Sequence, residues 1–328
     1  MKSSSHRLPG LRTALSLASP SGPRAKLSIL IYHRVLAEAD PLRTGDPDAA
    51  TFGWQMDLLA RHFNVLPLHE AALRLKAGTL PARAACVTFD DGYADNYSTA
   101  LPILKRTGVP ATFFIASGYL DGGRMFNDTL IELAKGLPTG SSDLSSAGLG
   151  HLTINTISDR KALVGKLLGH FKYQAPEQRL QAAENLASKF DIQLPDNLMM
   201  SSTQLKALHA EGMEIGAHTH THPILARQHS ADAIHDIRLG KEKLERLLGV
   251  PMRVFAYPNG RPVKDYGDEH VAMIRENGFD TAVSTRPAAA DRNSDIYQLP
   301  RFTPWDKTPA RFALRLLRAL VQPHSAGG

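Results

Sequence analysis

Seven short apolar runs recur along the chain between amphipathic segments, and this alternation constrains the fold more than any other feature. The runs are Leu27–Tyr32, Ala85–Phe89, Ala111–Ala116, Met213–Ala217, Arg253–Tyr257, Thr281–Ser284 and Gln298–Phe302. Each is four to six residues long and bounded by Gly, Pro or Asp, as expected of parallel strands buried on both faces. The segments between them, 51–62, 95–107, 231–248, 265–277 and 309–321, carry helical periodicity. In 231–248, Ile234, Ile237, Leu244 and Leu248 share one face that only Lys241 interrupts. Strand–helix alternation of this kind predicts an α/β fold built on a parallel sheet or barrel.

The period breaks over 117–212. Ser and Gly crowd Gly136–Gly150, and helical stretches follow at 158–169 and 176–190. This predicts a helical insertion within one body of 27–308, either a lid that shapes a binding site or only a cover on the barrel. Residues 1–26, rich in Ser, Pro, Gly and Arg, read as a disordered basic arm. Residues 309–328 read as a basic amphipathic helix and tail. The net charge of +6 is unevenly placed: 1–30 sum to +5 and 301–328 to +4, leaving 31–300 at −3. A basic stripe across the folded body is therefore absent, which disfavours nucleic acid as a partner. A single Cys86 excludes an internal disulfide framework and a cysteine-based zinc site. No apolar run is long enough to span a bilayer, and 14–18 is too short and polar for a signal-peptide core. The expectation is a cytoplasmic protein, with peripheral membrane contact through 309–321 as one reading of that helix and packing on the barrel as the other.

Three segments carry candidate chemistry. The first is Thr88-Phe89-Asp90-Asp91-Gly92-Tyr93, a strand ending in adjacent carboxylates before a Gly turn. Two such charges repel unless a cation or metal offsets them, and a strand's carboxyl end is where barrel active sites assemble. Capping of the next helix is the competing explanation. The second is His218-Thr219-His220-Thr221-His222-Pro223. The spacing of His218 and His222 lets both imidazoles meet at one point, while His220 faces elsewhere. Two His and a carboxylate form an open site for a divalent metal. The third, Tyr257-Pro258-Asn259-Gly260, is a turn whose backbone N–H groups can face an oxyanion, although it is also ordinary turn chemistry.

Together these segments resemble the polysaccharide deacetylase family, the NodB-homology group of carbohydrate esterase family four, over about 27–303. Leu30-Ile31-Tyr32-His33-Arg34-Val35 also looks like the first strand of the branch with a Tyr-His pair there. The resemblance implies a distorted, incomplete (β/α) barrel of about seven strands and hydrolysis of acetyl groups on N-acetylated sugars of a glycan or glycan precursor. It implies Asp90 as general base, Asp91, His218 and His222 as ligands of a divalent metal, usually zinc, and the Asn259 N–H as oxyanion donor.

Two positions depart from the family pattern. Ala256 stands where an Arg usually lies two residues before the Pro of the third motif. Arg301 stands where the last motif has the His that supplies the acid. Arginine does not release a proton near neutral pH, so Arg301 is expected to stabilise charge or orient Asp90. His33 is the candidate replacement acid, with a packed core His as the alternative. Asp280 is a further candidate for orienting a catalytic partner. Hydrolysis of O-acetyl esters competes with amide hydrolysis, because an alkoxide needs less acid assistance, and a glycan-binding protein of the same fold is the non-enzymatic reading. Tyr93, Tyr97 and Trp54 read mainly as packing, while Trp305 is compatible with either role.

Overall fold

The computed structural model describes residues 8–171 and 176–322. In chain order the strands are β1 (Leu27–Tyr32), β2 (Asn64–Val65), β3 (Ala84–Phe89), β4 (Thr112–Ile115), β5 (Gly140–Asp143), β6 (His151–Ile154), β7 (Glu214–Ala217), β8 (Val254–Ala256) and β9 (Thr281–Val283). The helices are α1 (Leu11–Ala18), α2 (Ala49–His62), α3 (Leu68–Ala77), α4 (Leu101–Thr107), α5 (Phe126–Gly136), α6 (Ile157–Phe171), α7 (Pro176–Lys189), α8 (Ser202–Ala210), α9 (Ser230–Leu248), α10 (Asp268–Glu276) and α11 (Pro309–Val321). The chain divides into two compact units, 1–38 with 45–120 and 200–328, and 39–44 with 121–199.

The larger unit is the expected distorted barrel. Its parallel sheet runs β1-β3-β4-β7-β8-β9, with β2 paired to β3, seven strands in all. The run expected as a last strand, Gln298–Phe302, is not a full strand. It bridges the two sheet edges instead, Leu299 to Val283 of β9 and Phe302 to Leu30 of β1. Strand residues alternate between two faces. One face, with Val87, Phe89, Phe113 and Ile115, packs under Phe52 and Met56 of α2, Leu104 of α4, Leu208 of α8, Ile237 of α9 and Leu316 of α11. The other face, with Ile29, Cys86, Phe114, Val254 and Leu299, packs with Leu68, Ala71 and Leu75 of α3. The Phe89 ring stacks on Phe113 with centroids 4.6 Å apart and also contacts Tyr32 and Phe52. Truncating a buried Phe in such a setting costs about 3–5 kcal/mol, so the strand that leads into Asp90 and Asp91 is firmly held.

Glu214 fixes the opposite end of β7. Its carboxylate accepts from the Leu68 and His69 N–H groups of α3 at 3.0 and 3.2 Å, and from the Thr112 hydroxyl at 2.6 Å. These bonds satisfy N–H groups that the first turn of a helix leaves without an internal partner.

The N-terminal arm departs from expectation. Residues 11–18 are helical, and Leu15 is fully buried with Leu8, Leu11 and Ala18 against the same core. Leu11 and Leu15 lie one turn apart, and this short apolar stripe is hidden in a composition dominated by Ser, Pro and Gly. Residues 1–7 and 323–328 of the arm and tail lie outside the described residues.

The smaller unit is narrower than the 117–212 insertion expected. Residues 200–212 belong to the barrel, where α8 packs, and 39–44 join the insertion instead. It contains α5, the antiparallel β5–β6 hairpin, α6 and α7 around a core that includes Leu130, Leu133, Leu144, Leu163 and Leu167. Arg43 secures the 39–44 segment through Asp128 at 2.6 Å and Glu132 at 2.9 Å. No helix among the described residues is long and apolar enough to cross a membrane.

Candidate active site

Both His and both Asp candidates leave the sheet at the carboxyl ends of β3 and β7. The Asp90 N–H extends the β1–β3 pairing by donating to the Tyr32 carbonyl at 2.9 Å. The chain then reverses, with φ of 77° at Asp91 and 93° at Gly92. This turn sends the neighbouring carboxylates in different directions, and neither caps the helix that follows among the described residues.

Asp90 meets Arg301. The guanidinium donates to both carboxylate oxygens at 2.7 Å and to the Thr88 hydroxyl at 3.1 Å, and its Nε donates to the Ser284 carbonyl at 3.1 Å. Arg301 is 0% exposed and also lies over the Phe114 ring. Burial pushes the Asp90 carboxyl up, but Arg301 and then His218 outweigh it and hold it below the usual range. The sequence option that Arg301 orients Asp90 is therefore the arrangement in the fold.

Asp91 meets the histidines. Its Oδ1 lies 3.4 Å from Nε2 of His218 and 3.4 Å from Nε2 of His222. The three potential donor atoms lie within 4.8 Å of one another, the one such group of His, Cys, Asp and Glu among the described residues. Nδ1 of His218 donates to the Ala256 carbonyl at 2.7 Å, which turns Nε2 toward Asp91. Burial lowers this imidazole, but Asp91 and Asp90 outweigh it and raise it above the ordinary histidine value. Asp91 Oδ1 is buried without a hydrogen-bond partner. A buried, unsatisfied carboxylate oxygen facing two imidazole nitrogens fits a divalent cation with an open coordination position. Burial raises the Asp91 carboxyl, yet His222, His218 and His33 together hold it well below the usual range. Burial pulls the His222 imidazole down to about 4 despite Asp91, a neutral ring suited to donating a lone pair.

The His218–His222 loop is clamped from α9. Asp236 accepts from the N–H groups of His220 at 2.8 Å and Thr221 at 3.1 Å, and from the Thr221 hydroxyl at 2.7 Å. A Cβ on Gly240 would lie 2.5 Å from the Thr219 backbone, so glycine lets α9 sit directly behind the loop. His220 turns away, with Nδ1 at 2.9 Å from the Ser117 hydroxyl. Asp236 was not legible in the sequence, where it looks like any surface charge on an amphipathic helix.

Eight non-glycine residues among those described have positive φ, and Asp91, Thr219, His222 and Asn259 are four of them. Such conformations cost on the order of 1–3 kcal/mol each and concentrate where the surroundings enforce a functional geometry. Asn259 lies in the turn after β8, and its N–H has no partner among the described residues. His33 follows β1 at the same end of the sheet and is half-buried. Its charge acts on Asp90, Asp91 and His222, and Asn96 holds its carbonyl at 2.8 Å. Asp95 secures the next two residues, through Arg34 at 2.7 Å and the Val35 N–H at 3.3 Å.

Asp280 is not part of this group. It lies at the start of β9, the opposite end of a parallel strand, and pairs with His69 at 2.9 Å and Arg253 at 3.6 Å. Tyr93 is buried beneath the Arg34 guanidinium, Tyr97 packs on the core and Trp54 meets Phe312 edge-on, whereas Trp305 is 61% exposed.

The sequence pattern of the polysaccharide deacetylase family matches residues 77–161 and 178–282, more than half of the chain. The chain belongs to the polysaccharide deacetylase family. It is thereby an enzyme of the class that hydrolyses acetyl amide bonds. YxkH of Bacillus subtilis (strain 168), named for the same family, is 24% identical over 279 residues, 84% of this chain and 71% of YxkH. Among solved structures, the Streptococcus pyogenes deacetylase PplD in complex with acetate superposes with a TM-score of 0.58 at 19% identity, covering 91% of this chain and 99% of PplD. IcaB from Ammonifex degensii gives 0.57 at 21% identity, over 93% of this chain and 99% of IcaB. These two likenesses are of fold. The family match takes in Asp90, Asp91, His218, His222 and Asn259, while His33 and Arg301 lie outside its two stretches.

Proposed function

We propose that this polysaccharide deacetylase removes acetyl groups from N-acetylated sugar units of a glycan or glycan precursor by metal-dependent hydrolysis. The observation that carries the reading is the Asp91–His218–His222 group beside a second carboxylate, Asp90, held in a separate ion pair. Asp91, His218 and His222 would hold a divalent metal, with zinc as the expected ion. Bound there, the metal supplies Lewis acidity toward the acetyl carbonyl and a bound water.

The remaining work falls to the chain's own side chains. Asp90 accepts a proton from the attacking water, since each carboxylate oxygen keeps a lone pair beyond its bond to Arg301. Arg301 keeps Asp90 ionised and aimed. The Asn259 N–H donates to the oxygen that becomes negative as the carbonyl carbon turns tetrahedral. The water oxygen–carbon bond forms and the carbon–nitrogen bond breaks, leaving acetate and a free amine. His33 delivers a proton to the departing nitrogen, the step that Arg301 cannot perform. Acetate, the compound held by the PplD structure, is the product expected here.

An acetate-release screen against N-acetylated and O-acetylated glycans, with metal analysis of the purified protein, tests this reading. Release from an N-acetylated glycan by metal-loaded protein is the expected result. Release from O-acetyl esters alone, or glycan binding without release, would replace it with the ester or binding reading. His33→Ala is expected to slow N-acetyl hydrolysis by about a hundredfold or more and O-acetyl hydrolysis far less. An equal loss on both substrates would remove His33 as the acid.

A further inference from the structure

The two basic ends of the sequence meet in the fold. α1 packs against α11, and the Lys26 ammonium donates to the Leu320 carbonyl beside them. Arg12 of α1 adds to the local positive charge. Burial, followed by the like charges of Arg61, Arg12 and Arg83, lowers the nearby His62 imidazole.

α11 divides into three faces. Phe312, Ala313, Leu316 and Leu320 are buried against the barrel. At 100° per residue, Arg311, Arg315 and Arg318 fall on a neighbouring stripe. These arginines line a groove of about 530 Å³ together with Pro287, Ala288 and Phe302. Asp306 takes the charge of Arg315, whose guanidinium also lies 5.7 Å from the Trp305 ring centroid. Arg311 and Arg318 are exposed and pair with no carboxylate among the described residues. Beyond this stripe, Leu314 and Val321 stand out at 45% and 59% exposure, with Trp305 at 61%.

We propose that this face of α11 is a docking surface for an anionic lipid bilayer, with Arg311 and Arg318 meeting phosphate headgroups and Trp305, Leu314 and Val321 entering the interface. Unpaired arginines alone would suit any polyanion. The exposed Trp and aliphatic side chains beside them are stabilised by a lipid interface and left in water by a soluble polymer. With 13 residues the helix is too short to span a bilayer, and its buried face stays on the barrel while the outer face docks.

Flotation of the full chain with vesicles of phosphatidylcholine alone, or with added phosphatidylglycerol, tests the proposal. Binding is expected only with phosphatidylglycerol, weakening with salt and shifting Trp305 emission to the blue. Arg311→Glu with Arg318→Glu should lower partitioning by at least about tenfold. Leu314→Ser with Val321→Ser should lower it without changing the charge. Both double variants should keep wild-type melting temperature and metal content, so failure here is distinguishable from failure of the deacetylase reading. The proposal is overturned if wild type ignores phosphatidylglycerol vesicles at low salt, or if the charge-reversed variant binds as wild type does. Arginine-dependent binding to heparin, unaffected by the two Ser changes and without vesicle binding, would overturn it in favour of a soluble polyanion.

Discussion

Asp91→Ala should lose bound metal and, with it, at least about a thousandfold in acetate release. The expectation follows from how Asp91 is held. It supplies the negative charge in a buried group whose other two members are imidazoles, and its Oδ1 has no other partner to satisfy it. Two neutral histidines without a carboxylate would bind a divalent cation far more weakly. His218→Ala should behave alike, because its ring is pre-oriented through the Ala256 carbonyl. Metal content and acetate release measured on the same preparation check both variants. Full metal occupancy in Asp91→Ala would remove that residue from the ligand set.

The second large effect belongs to Arg301. Asp90 and Arg301 are both buried, so Arg301→Met would leave an uncompensated carboxylate in the core at a cost of about 3–5 kcal/mol. Acetate release should fall on the order of a hundredfold or more as Asp90 loses its charge and aim. Arg301→Lys should recover part of the stability but little of the alignment, since an ammonium cannot bind both carboxylate oxygens in a fork. Arg301→Met combined with Asp90→Asn should regain most of the stability while remaining inactive, because both buried charges are gone. Denaturant melts and acetate release on all four proteins separate positioning from support of the fold. If Arg301→Met retained wild-type turnover, the positioning role would fail.

Much of this was legible in the sequence, and the exceptions share a physical cause. Short apolar runs ending in Asp90-Asp91 and in His218 mark strand ends directly, because a parallel strand puts its chemistry at its carboxyl terminus. The helices over 157–171 and 230–248 follow from their periodicity. Strand register is different, since local spacing does not encode which strands become neighbours. Ala256 and Arg301 read as two separate departures from the family pattern. In the fold β8 pairs with β9, Leu299 bridges to β9, and Arg301 then reaches Asp90 with both nitrogens. Asp90, the proposed base, thus has an arginine partner, and that partner is the residue read as a departure from the family's last motif. Asp280 precedes the β9 run in the sequence as in the fold, and the beginning of a parallel strand lies at the end of the sheet away from Asp90 and His218, where it pairs with His69 and Arg253. Asp95 and Asp236, which hold the segments bearing His33 and the His218–His222 loop, are indistinguishable from solvated helix charges until the fold aims them inward.

The most direct measurement is the stoichiometry of acetate and free amine released from an N-acetylated glycan by wild type and Asp90→Asn, with metal determined in the same samples. One amine per acetate is expected from wild type. Asp90→Asn should keep its metal, because Asp90 lies outside the Asp91–His218–His222 group, and lose about a thousandfold in rate. Wild-type turnover by metal-loaded Asp90→Asn would contradict the account, as would acetate appearing without an equal amount of amine.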